Sequence, residues 1–159
     1  MNRTMQAHAI TVRELQIEQA VQIEASPERV FDALTTGIGA WWSHSNSGKP
    51  DAMTLEPRPG GRFFEEFGAN GGAHFATVQY IKRSEQLRMT GPMGMTTPVL
   101  GVVNFSLETQ GAATLLALSH HIIGVFDDEV IGIYGGGWQE LLDIRLKDFV
   151  ERGVRYRPE

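Results

Sequence analysis

Two polar residues are predicted to lie on apolar strand faces of this 159-residue chain. His120 alternates with Leu118, and Glu65 lies at two-residue spacing between Phe63 and Phe67, so each points with its apolar neighbours toward one side of a sheet. An inward histidine can orient a carbonyl group or act as a general base near neutral pH. If both residues face one cavity, they form a minimal acid–base pair for enolisation or dehydration of a carbonyl compound.

Structural roles are the alternatives for both residues. His120 would cap the end of its strand by bonding to a backbone carbonyl, whereas Glu65 would form an ion pair, since a buried carboxylate without a partner is costly. The arginines available for that ion pair are Arg62, Arg88 and Arg145. His121 is predicted to face solvent, so it cannot bind one metal ion together with His120. The spacing assigns no firm catalytic residue, and we predict no metal or cofactor.

Aromatic residues are predicted to surround the same cavity. Trp41 and Trp42 are expected in a short helix near its mouth, one in the core and the other against a ligand or partner, or else both in the core. Trp138 is expected to pack on the sheet, with Tyr134 at the opposite entrance. The loop at residues 91–98 is rich in glycine and methionine, and it is predicted to be a lid, a dimer contact or an ordinary hairpin connection.

Composition narrows the class of protein. A net charge of −5 without a cluster of basic residues argues against a nucleic acid or an anionic membrane surface as the main partner. The chain has no cysteine, which excludes disulfides and thiolate zinc sites and is compatible with the cytoplasm, the location that we predict. No apolar run is long enough for a transmembrane helix. Phosphate-loop, nucleophile-elbow and zinc-protease motifs do not occur in the sequence.

Local patterns predict the elements that position these residues. Residues 15–25 form a strand, and Ser26-Pro27 then marks a helix start, because serine caps the first turn and proline suits the first helical position. Turn residues separate the further predicted strands, which lie at residues 53–56, 62–67, 73–82, 86–90, 99–108 and 113–123.

From Asp127 onward the apolar spacing changes to three and four residues, which is typical of a helix, and this helix ends near Gly153. The run Gly135–Gly137 predicts either a break, because glycine is unfavourable inside a helix, or the close approach of another backbone or a ligand. We therefore predict a short helix or turn at residues 127–134 and a firm helix at residues 136–152. Only the firm helix is long enough to cover the apolar face of the sheet.

Together these elements predict an α+β helix-grip domain over residues 13–155. A curved antiparallel sheet of about seven strands wraps around the long C-terminal helix, and two short helices follow the first strand. Residues 1–12 are predicted to be a flexible tail. Three arginines, Arg152, Arg155 and Arg157, are expected at a frayed C-terminus.

Five motifs occur in order along the chain. They are Glu-Ala-Ser-Pro-Glu-Arg-Val-Phe-Asp-Ala-Leu at residues 24–34, Trp41-Trp42, Pro-Gly-Gly-Arg-Phe at 59–63, Leu-Ser-His at 118–120, and Gly-Gly-Trp-Gln-Glu-Leu-Leu at 136–142. Their order resembles the START-related helix-grip superfamily, also called SRPBCC. The resemblance is strongest to the bacterial branch named after the activator of heat-shock-protein-ninety ATPase, and weaker to polyketide cyclases.

The resemblance implies a ligand cavity between the sheet and the C-terminal helix. The residues expected to line it are Trp41, Trp42, Phe63, Glu65, Phe67, Met89, Phe105, Leu116, Leu118, His120, Tyr134, Trp138 and Leu142. The implied function is binding of a small hydrophobic molecule of lipid, polyketide or aromatic type, without catalysis. The alternatives are a cyclase, dehydratase or hydrolase that uses His120 and Glu65, and an interaction module of co-chaperone type. A homodimer is a further expectation.

Overall fold

A seven-stranded antiparallel sheet wraps around a long C-terminal helix. The computed structural model describes residues 3–158. Its strands are β1 (Arg13–Ile23), β2 (Met53–Leu55), β3 (Arg62–Glu66), β4 (Gly72–Lys82), β5 (Gln86–Thr90), β6 (Val99–Gln110) and β7 (Ala113–Gly124). Their order in the sheet is β1-β7-β6-β5-β4-β3-β2, so the first strand closes against the last and the others form a meander. The predicted α+β helix-grip fold is confirmed.

Alternation along β6 and β7 fixes which side chains face the helix. Register pairs Val103 with His120 and Phe105 with Leu118, and all four side chains are buried. Their neighbours in sequence point to the outer face of the sheet, where His121 is exposed. The predicted inward positions of these two strands are therefore confirmed.

Two short helical segments connect β1 to β2. The first, α1 (Pro27–Leu34), begins as predicted, since the Ser26 hydroxyl accepts a hydrogen bond from the Arg29 N–H at 3.3 Å. A 3₁₀ turn at Ile38–Ala40 follows. The two tryptophans come directly after this turn and not within a helix, and they lead into the loop at residues 43–50, called here the His44 loop.

The C-terminal helix runs without a break through α2 (Asp128–Glu140), a π-helical segment (Leu141–Leu146) and α3 (Lys147–Arg152). The break predicted at the three glycines is wrong. A Cβ atom at Gly135 or Gly136 would meet no atom within 4 Å, so these positions lie on an open face of the helix. Glycine there weakens the helix by about 1 kcal/mol per residue, which the packing of the following turns offsets.

Burial along this helix is uneven. Trp138 is the only buried residue of α2, whereas Leu141, Leu142 and Leu146 of the π segment are all buried against the sheet. The helix ends as predicted at Gly153, whose φ of 68° is the left-handed cap that glycine adopts readily. The C-terminal half of the helix therefore anchors it to the core.

The two ends of the chain differ. Residues 3–12 have no regular secondary structure, and Met1 and Asn2 of the predicted tail lie outside the described residues. The prediction of a frayed C-terminus is wrong. The Tyr156 N–H donates to the carbonyl oxygen of Ala40 at 2.8 Å, and Arg155 pairs with Asp51. Within residues 3–158, no helix has the length and apolar character needed to cross a membrane.

Candidate ligand-binding pocket

A pocket of about 150 Å³ lies between the C-terminal helix, the His44 loop and the loop at residues 91–98, called here the Met93 loop. It is lined by Trp42, His44, Asn46, Phe75, Met93, Gly94, Ile133, Tyr134, Gly137, Trp138 and Leu141. The walls are aromatic and aliphatic, with His44 and Asn46 on one side. Apolar walls with few polar groups are typical of sites for small organic ligands.

Aromatic side chains support the inner wall. The rings of Trp42 and Trp138 meet edge to face with centroids 5.7 Å apart, and Trp42 contacts Phe63 in the same way at 5.0 Å. Such pairs add to the stabilisation that comes from burial alone. Trp41 is fully buried, and its indole N–H donates to the carbonyl oxygen of Ala33 at 2.8 Å. One tryptophan of the pair is therefore core and the other lines the pocket.

The Met93 loop is fastened to both sides of the pocket. The Tyr134 hydroxyl donates to the carbonyl oxygen of Met93 at 2.7 Å, and the Met93 N–H donates to that of Phe75 at 2.9 Å. Burial raises the pKa of Tyr134 to about 12, so the hydroxyl keeps its proton and its donor role at neutral pH. The Met93 loop is thus a wall of the pocket, held between strand β4 and helix α2.

His44, which lines the pocket, and its hydrogen-bond partners Glu140 and Arg145 are called here the polar mouth. His44 Nε2 lies 2.6 Å from Glu140 Oε2, and Arg145 donates from Nε and Nη2 to Glu140 Oε1 at 3.1 and 3.0 Å. Burial raises the pKa of Glu140, but the hydrogen bonds from His44 and Arg145 outweigh this effect and hold the pKa below its usual value. Glu140 is therefore a carboxylate that accepts hydrogen bonds from both residues.

The backbone of the His44 loop is held by side chains on either side. The Trp42 indole N–H donates to the carbonyl oxygen of His44 at 3.2 Å. Further along, both carboxylate oxygens of Glu65 accept backbone N–H groups, from Asn46 and Ser47, each at 2.7 Å. These contacts position the two polar side chains that face the pocket.

The hydrogen bonds of Glu65 agree neither with an ion pair to arginine nor with an acid–base role in a cavity. Its partners are backbone amides and not an arginine, since Arg62 pairs with Glu56, Arg145 pairs with Glu140, and Arg88 lies over the ring of Tyr80. Burial raises the pKa of Glu65, but the hydrogen bonds from Ser47 and Asn46 prevail and lower it. The residue is an anchor for the His44 loop.

His120 is buried behind the pocket wall. Its Nδ1 accepts a hydrogen bond from the Trp138 indole N–H at 3.0 Å, so the neutral ring has its proton on Nε2. The partner is therefore a side chain and not the backbone carbonyl of the structural alternative. Burial lowers its pKa to about 4, which leaves it uncharged and weakly basic at neutral pH. Neither His120 nor Glu65 lines the pocket, and the predicted pair does not meet there.

The other residues expected at the cavity separate into two groups. Three of them, Trp42, Tyr134 and Trp138, are among the residues that line this pocket. The following residues are buried in the packed core and do not line it: Trp41, Phe63, Met89, Phe105, Leu116, Leu118 and Leu142. Phe67 is half-buried at the end of β3 and does not line it either. Alternation identifies the inward face of a strand but not which inward positions border empty space.

Among residues 3–158, no three histidine, aspartate or glutamate side chains come together as metal ligands.

Replacing Glu65 by glutamine is expected to lower the free energy of unfolding by about 1.5–3 kcal/mol. Glutamine presents an NH₂ group where one backbone N–H now meets an oxygen, so one donor stays unsatisfied in a buried site. Chemical denaturation measures the change. Glu66→Gln is the matched control, because that neighbour is exposed on the opposite face. Equal stability of the two variants would contradict the anchoring role.

Comparison with known proteins agrees with this architecture. Residues 24–151 match the family model described as Activator of Hsp90 ATPase homolog 1-like protein. No curated protein matches the sequence. The match covers most of the chain and includes every element that lines the pocket.

Solved structures share the fold at low sequence identity. An uncharacterised protein from Rhizobium leguminosarum has a TM-score of 0.71 and 18% identity, over 89% of this chain and 97% of that one. The Aha1 dimer from Colwellia psychrerythraea has a TM-score of 0.65 and 22% identity, over 87% and 98%. DynU16, from the dynemicin biosynthetic locus, has a TM-score of 0.65 and 18% identity, over 89% of this chain and 49% of that one. The chain therefore belongs to the Activator of Hsp90 ATPase homolog 1-like family, with the SRPBCC fold.

Proposed function

We propose that this protein binds a small hydrophobic ligand with an aromatic ring between its C-terminal helix and the loops that face it. The observation that carries this proposal is the pocket of about 150 Å³, with Trp42, Phe75 and Trp138 among its walls. An apolar cavity of about this volume takes a molecule the size of benzene. Aromatic rings favour the edge-to-face contacts that such walls offer.

The volume also ranks the ligand types expected from the sequence. Sites for larger organic molecules usually measure about 300–1,000 Å³. A long acyl chain or a fused polyketide would therefore need the walls of this pocket to move apart, whereas a single aromatic ring would not. We expect binding without turnover as the principal activity.

The remaining expectations stay predictions. Catalysis by His120 and Glu65 would need both side chains to reach a ligand from outside the pocket lining. Interaction with a chaperone rests on the family description alone. A homodimer is supported only by the described dimer of the Colwellia relative, and light scattering of the purified protein would test it. A cytoplasmic location rests on the absence of cysteine.

Titration with toluene, followed by the indole N–H signals in nitrogen–proton correlation spectra, tests the proposed function. Trp42 and Trp138 line the pocket, whereas Trp41 donates to a backbone carbonyl in the core. We expect toluene to shift the signals of Trp42 and Trp138 in a saturable way, and that of Trp41 much less. Shifts of equal size at all three, or no saturable shift with toluene or phenol, would contradict the proposal.

A pair of glycine variants provides the matched control. Gly137 lines the pocket, and a Cβ there would lie 3.6 Å from Cε1 of His44, so Gly137→Leu should fill the space and abolish toluene binding. Gly136→Leu adds the same side chain to the same helix on its open face, and it should leave binding unchanged. Toluene binding by Gly137→Leu with wild-type affinity would place the ligand elsewhere.

A further inference from the structure

The polar mouth of the pocket has a defined direction of hydrogen bonding. Glu140 is a carboxylate and can only accept, so His44 Nε2 must donate across the 2.6 Å contact. Neutral His44 therefore has its proton on Nε2 and its lone pair on Nδ1. Within residues 3–158, the imidazole makes its side-chain hydrogen bond through Nε2, and Nδ1 makes none. In its neutral form the ring presents a free acceptor at Nδ1.

No side chain separates this imidazole from the helix wall. Gly137 is the facing residue, and a Cβ there would lie 3.6 Å from Cε1 and 3.8 Å from Nε2 of His44. The histidine is also among the residues that line the pocket. A ligand in the pocket can therefore reach the Cε1 edge of the imidazole, where Cε1 is bonded to Nδ1, without displacing a side chain.

The π segment explains how Arg145 reaches Glu140. Glu140 and Arg145 are five residues apart, and at about 100° per residue an α-helix would place them on different faces. The i to i+5 pattern of a π-helix brings such residues one above the other, which fits the two hydrogen bonds from Arg145. The guanidinium group also lies over the ring of Tyr156, 4.7 Å from its centre. Such segments are rare and occur frequently at functional sites.

We propose that this arrangement selects a ligand whose aromatic ring carries a hydroxyl group, a phenol in its simplest form. The ring would occupy the apolar part of the pocket, and its O–H would donate to Nδ1 of His44. This inference rests on the proposed function, because it assigns the polar group of the same ligand. Glu140 and Arg145 act as positioning residues that fix the tautomer and the orientation of His44.

The experiment compares phenol with toluene, which has the same number of non-hydrogen atoms and no donor. Dissociation constants of both come from the indole titration described above. We expect His44→Leu to raise the ratio of the phenol to the toluene dissociation constant about fivefold, the loss of one hydrogen bond. His121→Leu is the matched control, since His121 forms the same kind of pair with Glu14 on the outer face, and it should change neither constant.

The positioning role has its own readout. Nitrogen chemical shifts of the imidazole should show His44 with its proton on Nε2 in the wild type, and a mixture of tautomers in Glu140→Gln. Phenol binding should weaken about twofold in that variant, with toluene binding unchanged. His44→Phe, which has a ring but no hydrogen-bond acceptor, serves as a second substitution if the leucine variant does not fold.

The outcomes separate the two proposals. If neither toluene nor phenol binds, the proposed function fails and this inference fails with it. If both bind and the ratio of their dissociation constants is the same in His44→Leu as in the wild type, only this inference is overturned. Loss of phenol preference in Asn46→Leu or Tyr134→Phe, but not in His44→Leu, would also overturn it by moving the hydroxyl group to another residue.

Discussion

Replacing Trp138 by alanine is expected to lower the free energy of unfolding by about 3–5 kcal/mol, a large part of the roughly 5–15 kcal/mol that stabilises a typical domain. The indole is 3% exposed, and its ring lies 5.7–5.9 Å from the rings of Trp42, Phe105 and His120. Alanine would leave a cavity between helix and sheet and remove the donor to His120. Urea denaturation followed by circular dichroism measures the change.

Two further variants separate packing from hydrogen bonding at this position. Trp138→Phe keeps most of the apolar contacts and removes the N–H donor, so about 1–3 kcal/mol should be lost. Ile144→Ala is the control, because that side chain lies on the same helix and is 49% exposed, and its effect should be below about 0.5 kcal/mol. A Trp138→Ala variant no less stable than Ile144→Ala would contradict the central place of this residue in the core.

Lowering the pH from 6.5 to 4.5 is expected to remove about 2–3 kcal/mol of stability through His120 alone. The pKa of this buried residue is about 4 in the folded protein, against an ordinary value of 6.5 in the unfolded chain. In this range the unfolded state takes up a proton that the folded state does not bind, so unfolding becomes more favourable as the pH falls. Above about pH 7.5 both states are neutral at this residue and its contribution is constant.

The choice of pH range separates the effect of His120 on stability from that of the carboxylates. Glu65 and Glu140 have lowered pKa values, so the stability that they contribute is lost only below their ordinary value of 4.5. Urea denaturation at several pH values between 4.5 and 7.5 should show the slope in the wild type. It should be reduced in His120→Gln, whose amide oxygen still accepts from Trp138. Equal slopes in the two proteins would contradict the low pKa.

Much of the fold follows from short-range patterns in the sequence. Ser26 and Pro27 set the start of α1, Gly153 sets the end of the C-terminal helix, and alternation sets the inward faces of β6 and β7. Each of these signals acts over a few residues and depends on backbone geometry. The break predicted at residues 135–137 does not occur, because tertiary packing outweighs the low helix propensity of glycine.

The site depends on contacts that leave no local pattern. His44 and Glu140 are 96 residues apart, and the five-residue spacing from Glu140 to Arg145 is not that of neighbours on an α-helix. The partners of Glu65 are backbone amides, which every residue type carries. Large aromatic residues such as Trp42 and Trp138 are more predictable than the polar residues of the site, because their large apolar side chains favour burial.

The uneven burial of the C-terminal helix has a consequence for the rate of ligand exchange. Residues 128–137, which include Tyr134 and Gly137 of the pocket wall, bury no side chain fully, whereas the turns that follow are anchored in the core. Segments with little buried apolar surface open at a free energy far below that of global unfolding. We therefore expect the proposed ligand to enter and leave by local opening of these turns while the sheet stays intact. Amide hydrogen exchange of residues 128–137 measures the free energy of this opening.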